Sequence, residues 1–350
     1  MKGVSLFSSA GIGEAYLREI GIKIIVANEL LEERANLYKV LYPETEVVTG
    51  DILDDKVYNT ILKKSGEKID FLLATPPCQG MSIAGKNRNL DQMFNDKRNY
   101  FIFRIIDFIK KKQPDFILIE NVPFILKLIL PYKGKKFSLI ELLNHIFQKK
   151  YLIEQSIFDS SDYGVPQKRE RAIIRIFKKD KKWNLPSKEK KITVEEAIGN
   201  LPSLESGEKS NLRWHYARNH DKNQVLWLKH TPTGKSALEN KKFYPKKKDG
   251  TKVKAFMSTY RRIKWDAPAP TITMRSDAIS SQRNVHPGKR TKNGQYSDSR
   301  VLTLLELMIL SSLPKNWKIP EKTSELLIRR CLGECIPPLL TQKIVSGIKK

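Results

Sequence analysis

Cys78 stands in the run Pro76-Pro77-Cys78-Gln79, directly after the stretch Asp70–Ala74. A free cysteine is most often a small buried hydrophobe. Here two prolines stiffen the backbone and stop a strand, which sets the thiol at the strand's end. A thiolate at such a rim is a candidate nucleophile, favoured by a following helix or a nearby arginine. Glu120 ends a second run, Phe116–Glu120, and is followed by Asn121 and Val122. A carboxyl beside a nucleophilic cysteine is a candidate acid for a polarised heterocycle. Arg169 and Arg171, in Gln167-Lys168-Arg169-Glu170-Arg171, alternate and would face the same way on a strand. They could stabilise a developing oxyanion; surface salt bridging is the other reading. Gly11 and Gly13 follow the first apolar run, in a context that suits close backbone approach of a nucleotide-like cofactor. The three-glycine spacing is incomplete, and a tight strand–helix turn explains the pair as well. Glu29 closes the next run, where an acid commonly accepts from ribose hydroxyls or caps a helix.

These residues need a frame that brings them together. Strands are expected at Val4–Phe7, Ile22–Asn28, Glu46–Thr49, Asp70–Ala74 and Phe116–Glu120. Helical patterns fall at Glu14–Ile20, Ala35–Leu41 and Tyr100–Lys112. That alternation implies an α/β fold with a doubly wound, mostly parallel sheet, whose ligands sit beyond the carboxyl ends of the strands. Phe7–Gly13, Glu29, Asp51, Cys78 and Glu120 all fall at those ends. The rhythm fades after Lys178. Residues 178–191 are lysine-dense and read as a linker or solvated strand edge, and 192–298 as a smaller, loop-rich, aromatic-containing domain facing nucleic acid. Helices return at Leu302–Leu313 and Pro338–Ile348, and there are no internal repeats.

Composition narrows the partners. Of 350 residues, 64 are Lys or Arg against 38 Asp or Glu, a formal charge of +26 that predicts attraction to a polyanion. Charge does not separate DNA from RNA. Apolar residues make up 40%, enough for a sizeable core. No apolar run approaches the ~18 residues of a membrane span, and the first residues lack a signal-peptide core, so a cytoplasmic protein without membrane contact is expected. Three cysteines argue against a disulfide framework. Cys331 and Cys335 lack a matching ligand pair, and His215, His220 and His230 read as facing solvent or DNA, so no metal is expected. Candidate base or phosphate contacts are Arg213, Arg218, Lys235, Lys246, Lys247, Lys248, Arg261, Arg262 and Arg275.

Taken in order, the motifs resemble those of the cytosine-5 DNA methyltransferases of bacterial restriction–modification systems. They are Phe7-Ser8-Ser9-Ala10-Gly11, Glu29, Asp51-Ile52, Pro77-Cys78-Gln79, Asp96-Lys97-Arg98-Asn99-Tyr100, Glu120-Asn121-Val122, Gln167 through Arg171, Arg300 through Glu306, and Gly333 through Pro338. The resemblance implies S-adenosyl-L-methionine as cofactor and a flipped-out cytosine in duplex DNA as substrate. It implies Phe7 on the adenine, Ser9, Ala10 and Gly11 near the methionine part, Glu29 on the ribose, and Asp51 with Ile52 at the adenine. It makes Cys78 the nucleophile, sets Glu120 at the cytosine N3/N4 edge, and puts Arg171, supported by Arg169, at the carbonyl. Gly80–Asn99 would be a loop closing over DNA. The implied division is a catalytic and cofactor-binding domain (1–177), a target-recognition domain (178–298) and a segment returning to the sheet (299–350). A monomer, functionally paired with a cognate restriction endonuclease, is expected by analogy. The family usually carries an acid where Ser5 stands, a glycine at Ser9, and asparagine with a small residue at Glu334 and Cys335. The same chemistry on tRNA, and a non-catalytic nucleic-acid-binding protein of this fold, are the alternatives. The long 178–298 stretch favours DNA over tRNA, and the intact Cys78, Glu120 and Arg171 set favours an enzyme.

Overall fold

The computed structural model describes residues 1–77, 101–247, 249–314 and 317–349. Cys78, the Gly80–Asn99 loop with its Asp96–Tyr100 motif, and Lys248 lie outside the described residues. The chain builds β1 (Lys2–Leu6), β2 (Lys23–Glu29), α1 (Glu32–Leu41), β3 (Glu46–Thr49), α2 (Asp55–Lys64), β4 (Phe71–Ala74), α3 (Phe101–Lys112) and β5 (Phe116–Asn121). A hairpin, β6 (Ile129–Tyr132) and β7 (Lys135–Ser138), leads into α4 (Leu139–Phe147), whose first turn is closed by a Ser138–Glu141 capping box. Two long strands follow, β8 (Tyr151–Asp159) and β9 (Glu170–Lys178).

Seven of these strands form one sheet in the order β3-β2-β1-β4-β5-β9-β8. The first five run parallel, and β9 is antiparallel to both of its neighbours. Every residue of β4 and β5 is buried, as expected of strands covered on both faces. Leu72, Ala74, Ile117 and Ile119 pack under α2, α3 and α4. The alternate residues Phe71, Leu73, Phe116 and Leu118 face Trp183 and the C-terminal helix.

The remaining elements are short: β10 (Lys182–Trp183), α5 (Val194–Ile198), α6 (Lys222–Lys229), α7 (Leu304–Leu310), α8 (Glu325–Glu334), α9 (Pro338–Val345) and β11 (Ile348–Lys349). Between α5 and α7 the chain is mostly turns and isolated bridges. Among the described residues no helix is long and apolar enough to cross a membrane.

Several expectations need correction. Glu14–Ile20 is not a helix but two 3-10 turns, Ile12–Glu14 and Arg18–Ile20. Only seven residues separate Gly13 from Gly21, too few to offset the cost of helix nucleation. The 178–191 stretch is not a simple linker. Trp183 is buried, packs edge-on to Phe71, Phe116 and Phe177, and donates from Nε1 to the Ile344 carbonyl at 2.7 Å. The terminal helix stops at Val345 because β11 pairs antiparallel with β10. His215 faces neither solvent nor DNA: it is fully buried, held by Thr303 Oγ1 at 3.0 Å and the Pro202 carbonyl at 2.9 Å. Arg262 is also fully buried and reaches the carbonyls of His286, Asp298 and Leu228, which removes it from the DNA-contact candidates. Arg213, Arg218 and Arg261 are engaged with the Ile319 carbonyl, with Glu325 and with the Met257 and Gly234 carbonyls; Lys235, Lys246, Lys247 and Arg275 are exposed, Lys235 and Arg275 being paired with Glu239 and Asp277.

Candidate active site

The sheet order sets the ends of β3, β2, β1, β4 and β5 side by side, so their following residues share one rim. At the end of β1 the backbone turns sharply, with φ of 61° at Phe7, 49° at Ser9 and 72° at Gly11. Left-handed conformations at non-glycine residues cost on the order of 1 kcal/mol and persist only when the surroundings impose them. Here Ser8 N donates to the Asn28 carbonyl at 2.9 Å, Thr75 Oγ1 to the Phe7 carbonyl at 2.9 Å, and Tyr42 Oη to the Gly11 carbonyl at 2.7 Å. A Cβ on Gly11 would lie 2.4 Å from the Tyr42 ring, so that glycine is required by space as well as by φ. The φ at Ser9 is one that glycine adopts without strain, and serine holds it here.

Glu29 is buried at the end of β2, its two oxygens accepting from the backbone N–H of Ser9 (2.8 Å) and of Leu31 (2.9 Å). Phe7 packs edge-on to Phe101 with 5.2 Å between ring centroids. Ile52 is buried after β3, while Asp51 is exposed and accepts from Leu53 N at 2.9 Å. Ala10 is buried in the same turn. A carboxylate, an aromatic ring, an aliphatic floor and a glycine-containing turn in one row suit a ligand carrying a sugar diol and a flat heterocycle. The donor set therefore fits S-adenosyl-L-methionine.

Sequence reasoning missed a buried group beneath this row. Glu14 receives hydrogen bonds from Ser5 Oγ at 2.5 Å and from the Tyr38 hydroxyl. Burial pushes its pKa up to about 7 against those two hydrogen bonds. Ser5 thus stands against a carboxyl that Glu14 supplies. The signal was weak, because a glutamate in the first turn after Gly13 reads as solvent-facing. The Glu334 departure also has a partner: its carboxylate pairs with Arg34 at 2.7 Å. Gly333, just before it, admits the chain at Thr273–Met274, where a Cβ would come within 2.3 Å of Met274 N.

The second cluster forms where β5 meets β9. Glu120 opposes Ile173 across the antiparallel ladder, so Arg171 lies diagonally across from Glu120 on the same face. Arg171 Nε is 2.6 Å from Glu120 Oε1, and both side chains are at most 9% exposed. The contact is a close ion pair without hydrogen-bond alignment at that oxygen. Burial raises the Glu120 pKa, against the pull of Arg171 and then Arg169. Asn121 Nδ2 donates to the Pro76 carbonyl at 2.9 Å, fastening the end of β5 to the residues that precede Cys78 in the chain. Arg169 and Arg171 are both buried, but their described contacts differ. Arg169 donates to the carbonyls of Ile272 and Gly333, each at 2.8 Å, tying distant chain segments to the sheet. The two described cysteines are poor nucleophiles, since burial pushes Cys331 up to about 11 and Cys335 up to about 12.

Comparison with known proteins gives the family and the fold. A model of the family described as C-5 cytosine-specific DNA methylase matches residues 1–350. The chain is 57% identical over 347 residues to the Type II methyltransferase M1.HgaI of Avibacterium volantium, covering 99% of this chain and 97% of that one. It is 27% identical over 352 residues to the Type II methyltransferase M1.HphI of Haemophilus parahaemolyticus, covering 99% and 86%. Among solved structures, it resembles a putative DNA modification methyltransferase encoded within an E. coli prophage, with a TM-score of 0.71 at 19% identity over 99% of this chain and 98% of that one. A Spodoptera frugiperda DNMT2 mutant matches with a TM-score of 0.62 at 17% identity over 99% and 98%. At those identities the structural matches speak for the fold.

Proposed function

The chain belongs to the C-5 cytosine-specific DNA methylase family, and on that premise we propose that Cys78, Glu120 and Arg171 activate a flipped-out cytosine while the β1–β3 rim holds S-adenosyl-L-methionine. The protein is a DNA (cytosine-5)-methyltransferase of the Type II restriction–modification class. Carbon 5 of cytosine is too weak a nucleophile to attack a methyl group unaided. The Cys78 thiolate adds to C6, and the electron pair of the C5–C6 double bond moves toward C5. A protonated Glu120 donates at N3, and the Arg171 guanidinium offsets charge at O2. S-adenosyl-L-methionine, when bound, supplies an electrophilic methyl group. Loss of the C5 proton then expels Cys78 and restores the ring. The base must leave the stack first, at a cost of a few kcal/mol that phosphate contacts offset.

The observation that carries this reading is the buried Arg171–Glu120 pair beside a strand end fastened to Pro76. Burial raises the Glu120 pKa against the pull of Arg171 and Arg169, which is the direction a proton donor to N3 needs. Toward the cofactor, Phe7 would face the adenine, Glu29 the ribose, Asp51 and Ile52 the far edge of the adenine, and Ser9, Ala10 and Gly11 the methionine part, with Arg169 supporting Arg171 from behind. In the same reading residues 1–177 catalyse, 178–298 read duplex DNA and 299–350 return to the sheet. The protein acts as a monomer in the cytoplasm, protecting DNA from a cognate endonuclease.

Incubation with S-adenosyl-L-methionine and a duplex carrying 5-fluorocytosine is expected to leave a denaturation-resistant adduct on Cys78. Cys78→Ser should lose the adduct and methyl transfer while still binding DNA. Bisulfite sequencing of DNA from expressing cells identifies the modified word. No adduct, adduct at another residue, or methylation of an exocyclic nitrogen overturns the reading.

A further inference from the structure

Phe256 is the most exposed large apolar side chain among the described residues, at 72%, and its neighbour Met257 is 50% exposed. They do not sit on a loose strand of chain. Thr259 donates to the Phe256 carbonyl from both its backbone N (2.9 Å) and its Oγ1 (2.7 Å). Arg261 Nε donates to the Met257 carbonyl at 2.8 Å, and Arg283 N to the Ser258 carbonyl at 2.8 Å. Just behind the turn, Tyr260 has φ of 50°, a conformation an aromatic residue adopts only under constraint. Its backbone is fixed by Ala237 N (2.9 Å) and the Ile279 carbonyl (3.2 Å), and its ring packs edge-on to Trp227. A turn whose three carbonyls are all hydrogen-bonded, next to the constrained Tyr260, thus holds two apolar side chains out into water.

The surroundings are cationic. No Asp or Glu occurs along the chain between Asp249 and Asp266, Lys252, Lys254 and Arg283 are exposed on the segments that carry or brace the turn, and the Glu239 carboxylate behind it is paired with Arg261 at 3.3 Å. Exposed apolar surface within a basic field fits an occupant that is polyanionic yet offers apolar contacts, and duplex DNA does so through its phosphates, its thymine methyls and the faces of its base steps. We propose that Phe256 and Met257 are a specificity-determining apolar contact with base edges or base steps of the duplex, while Lys252 and Lys254 bind its phosphates. The division of labour follows from chemistry: lysines meet phosphate alike in every sequence, whereas an apolar side chain discriminates the thymine methyl or an easily unstacked step. This rests on DNA being the substrate.

The test uses the full chain and the duplex word identified by bisulfite sequencing of the wild-type protein's product. The wild type must methylate it; failure there strikes the methyltransferase assignment, not this proposal. Phe256→Ala and the double variant with Met257→Ala should fold with unchanged Tm, because the side chains are exposed. They should lower kcat/KM on the identified duplex at least tenfold and narrow its discrimination against single-base-substituted duplexes. The slope of log KM against log salt should stay unchanged. Lys252→Ala with Lys254→Ala should instead lower that slope by about 2 and weaken all duplexes alike. The proposal is overturned if Phe256→Ala keeps kcat/KM and discrimination within twofold. It is also overturned if light scattering finds a wild-type dimer that the variant dissolves, which would make the patch a contact between copies.

Discussion

The sheet half and the region between α5 and α7 satisfy their buried backbone in opposite ways. In the sheet, ladders of main-chain hydrogen bonds do the work, and the packed residues are aliphatic and aromatic. Between α5 and α7 regular ladders are nearly absent, and guanidinium groups take their place. The four largest fully buried side chains in the described chain are Arg169, Arg262, Arg300 and Arg329. Arg262 reaches the carbonyls of His286, Asp298 and Leu228; Arg300 those of Leu204 and Val301; Arg329 those of Ser276 and Leu302. An unpaired buried carbonyl costs free energy comparable to a lost hydrogen bond, so a loop-rich fold needs donors from side chains. Arginine suits this because one planar group serves several acceptors at once. Irregular structure can therefore be as firmly specified as a sheet.

The sharpest way to break the comparison is Arg300→Met. Arg300 makes a two-pronged pair with Glu306, both contacts 2.9 Å, and a third bond to Asp298 at 2.8 Å, all buried. Removing it strands two buried carboxylates, for which about 3–5 kcal/mol is expected. Calorimetry should show a large fall in Tm, with proteolysis concentrated between α5 and α7. A loss below 1 kcal/mol would mean that the guanidinium network is ornament on a fold held by other contacts.

The two regions also differ in the sign of their pH response. Burial pushes Glu306 up, but Arg300 and His286 prevail and hold it down at about 2. Its contribution is fully present above 4.5 and is lost as pH falls through that window. Burial, then Arg300, depresses His286 to about 4, so neutral His286 contributes fully above 6.5 and progressively less as pH falls toward 4. Glu14 behaves oppositely. Its pKa rises from 4.5 to about 7, so its contribution is complete below 4.5 and lost as pH climbs to 7. Glu14→Gln keeps an amide in place of a protonated acid. It should raise stability at pH 8 by up to about 3 kcal/mol relative to wild type, and by little at pH 4.5. Tm measured against pH for the two proteins checks this; parallel curves would mean that Glu14 does not titrate in the folded state.

How much of this the sequence disclosed follows the same line. The five parallel strands were legible to within a residue or two because strands buried on both faces read as apolar runs, and β4 and β5 are such runs, whereas β8, with exposed residues alternating into it, was missed and β9 was given no bounds. The rim positions of Phe7, Glu29, Asp51 and Glu120 followed from the topology, because strand ends in a parallel sheet converge on one edge, while Ile52 came from the family resemblance alone. Glu14 was not legible, since nothing in a lone glutamate tells that Ser5 and Tyr38 will enclose it. Arg262 and His215 were misread for a related reason. In a strongly basic chain a buried arginine has the same one-letter signature as one that meets phosphate, and only the carbonyls around it distinguish the two. Helices α2, α4, α5, α6 and α8 were missed, the short α5 and α8 because their apolar faces cover a region without a period of its own.

The smallest expected effect sharpens the comparison at the level of the backbone. Positive φ at a non-glycine residue occurs in both regions, at Phe243, Tyr260 and Arg283 between α5 and α7 and at Gln113 and Lys133 in the sheet half, but Phe7 and Ser9 place it at the proposed cofactor row. Ser9→Gly tests how much strain that row stores. Glycine would relieve on the order of 1 kcal/mol of left-handed strain. It would also restore about 0.5–1 kcal/mol of backbone freedom to the unfolded chain. The two nearly cancel, so Tm should rise by at most a few degrees. The backbone N–H of residue 9 would still reach Glu29, so KM for S-adenosyl-L-methionine should stay within about twofold, since a change of 0.4 kcal/mol is about that factor. A clear fall in Tm with a raised KM would instead show that the Ser9 side chain, rather than the turn it adopts, holds the rim in shape.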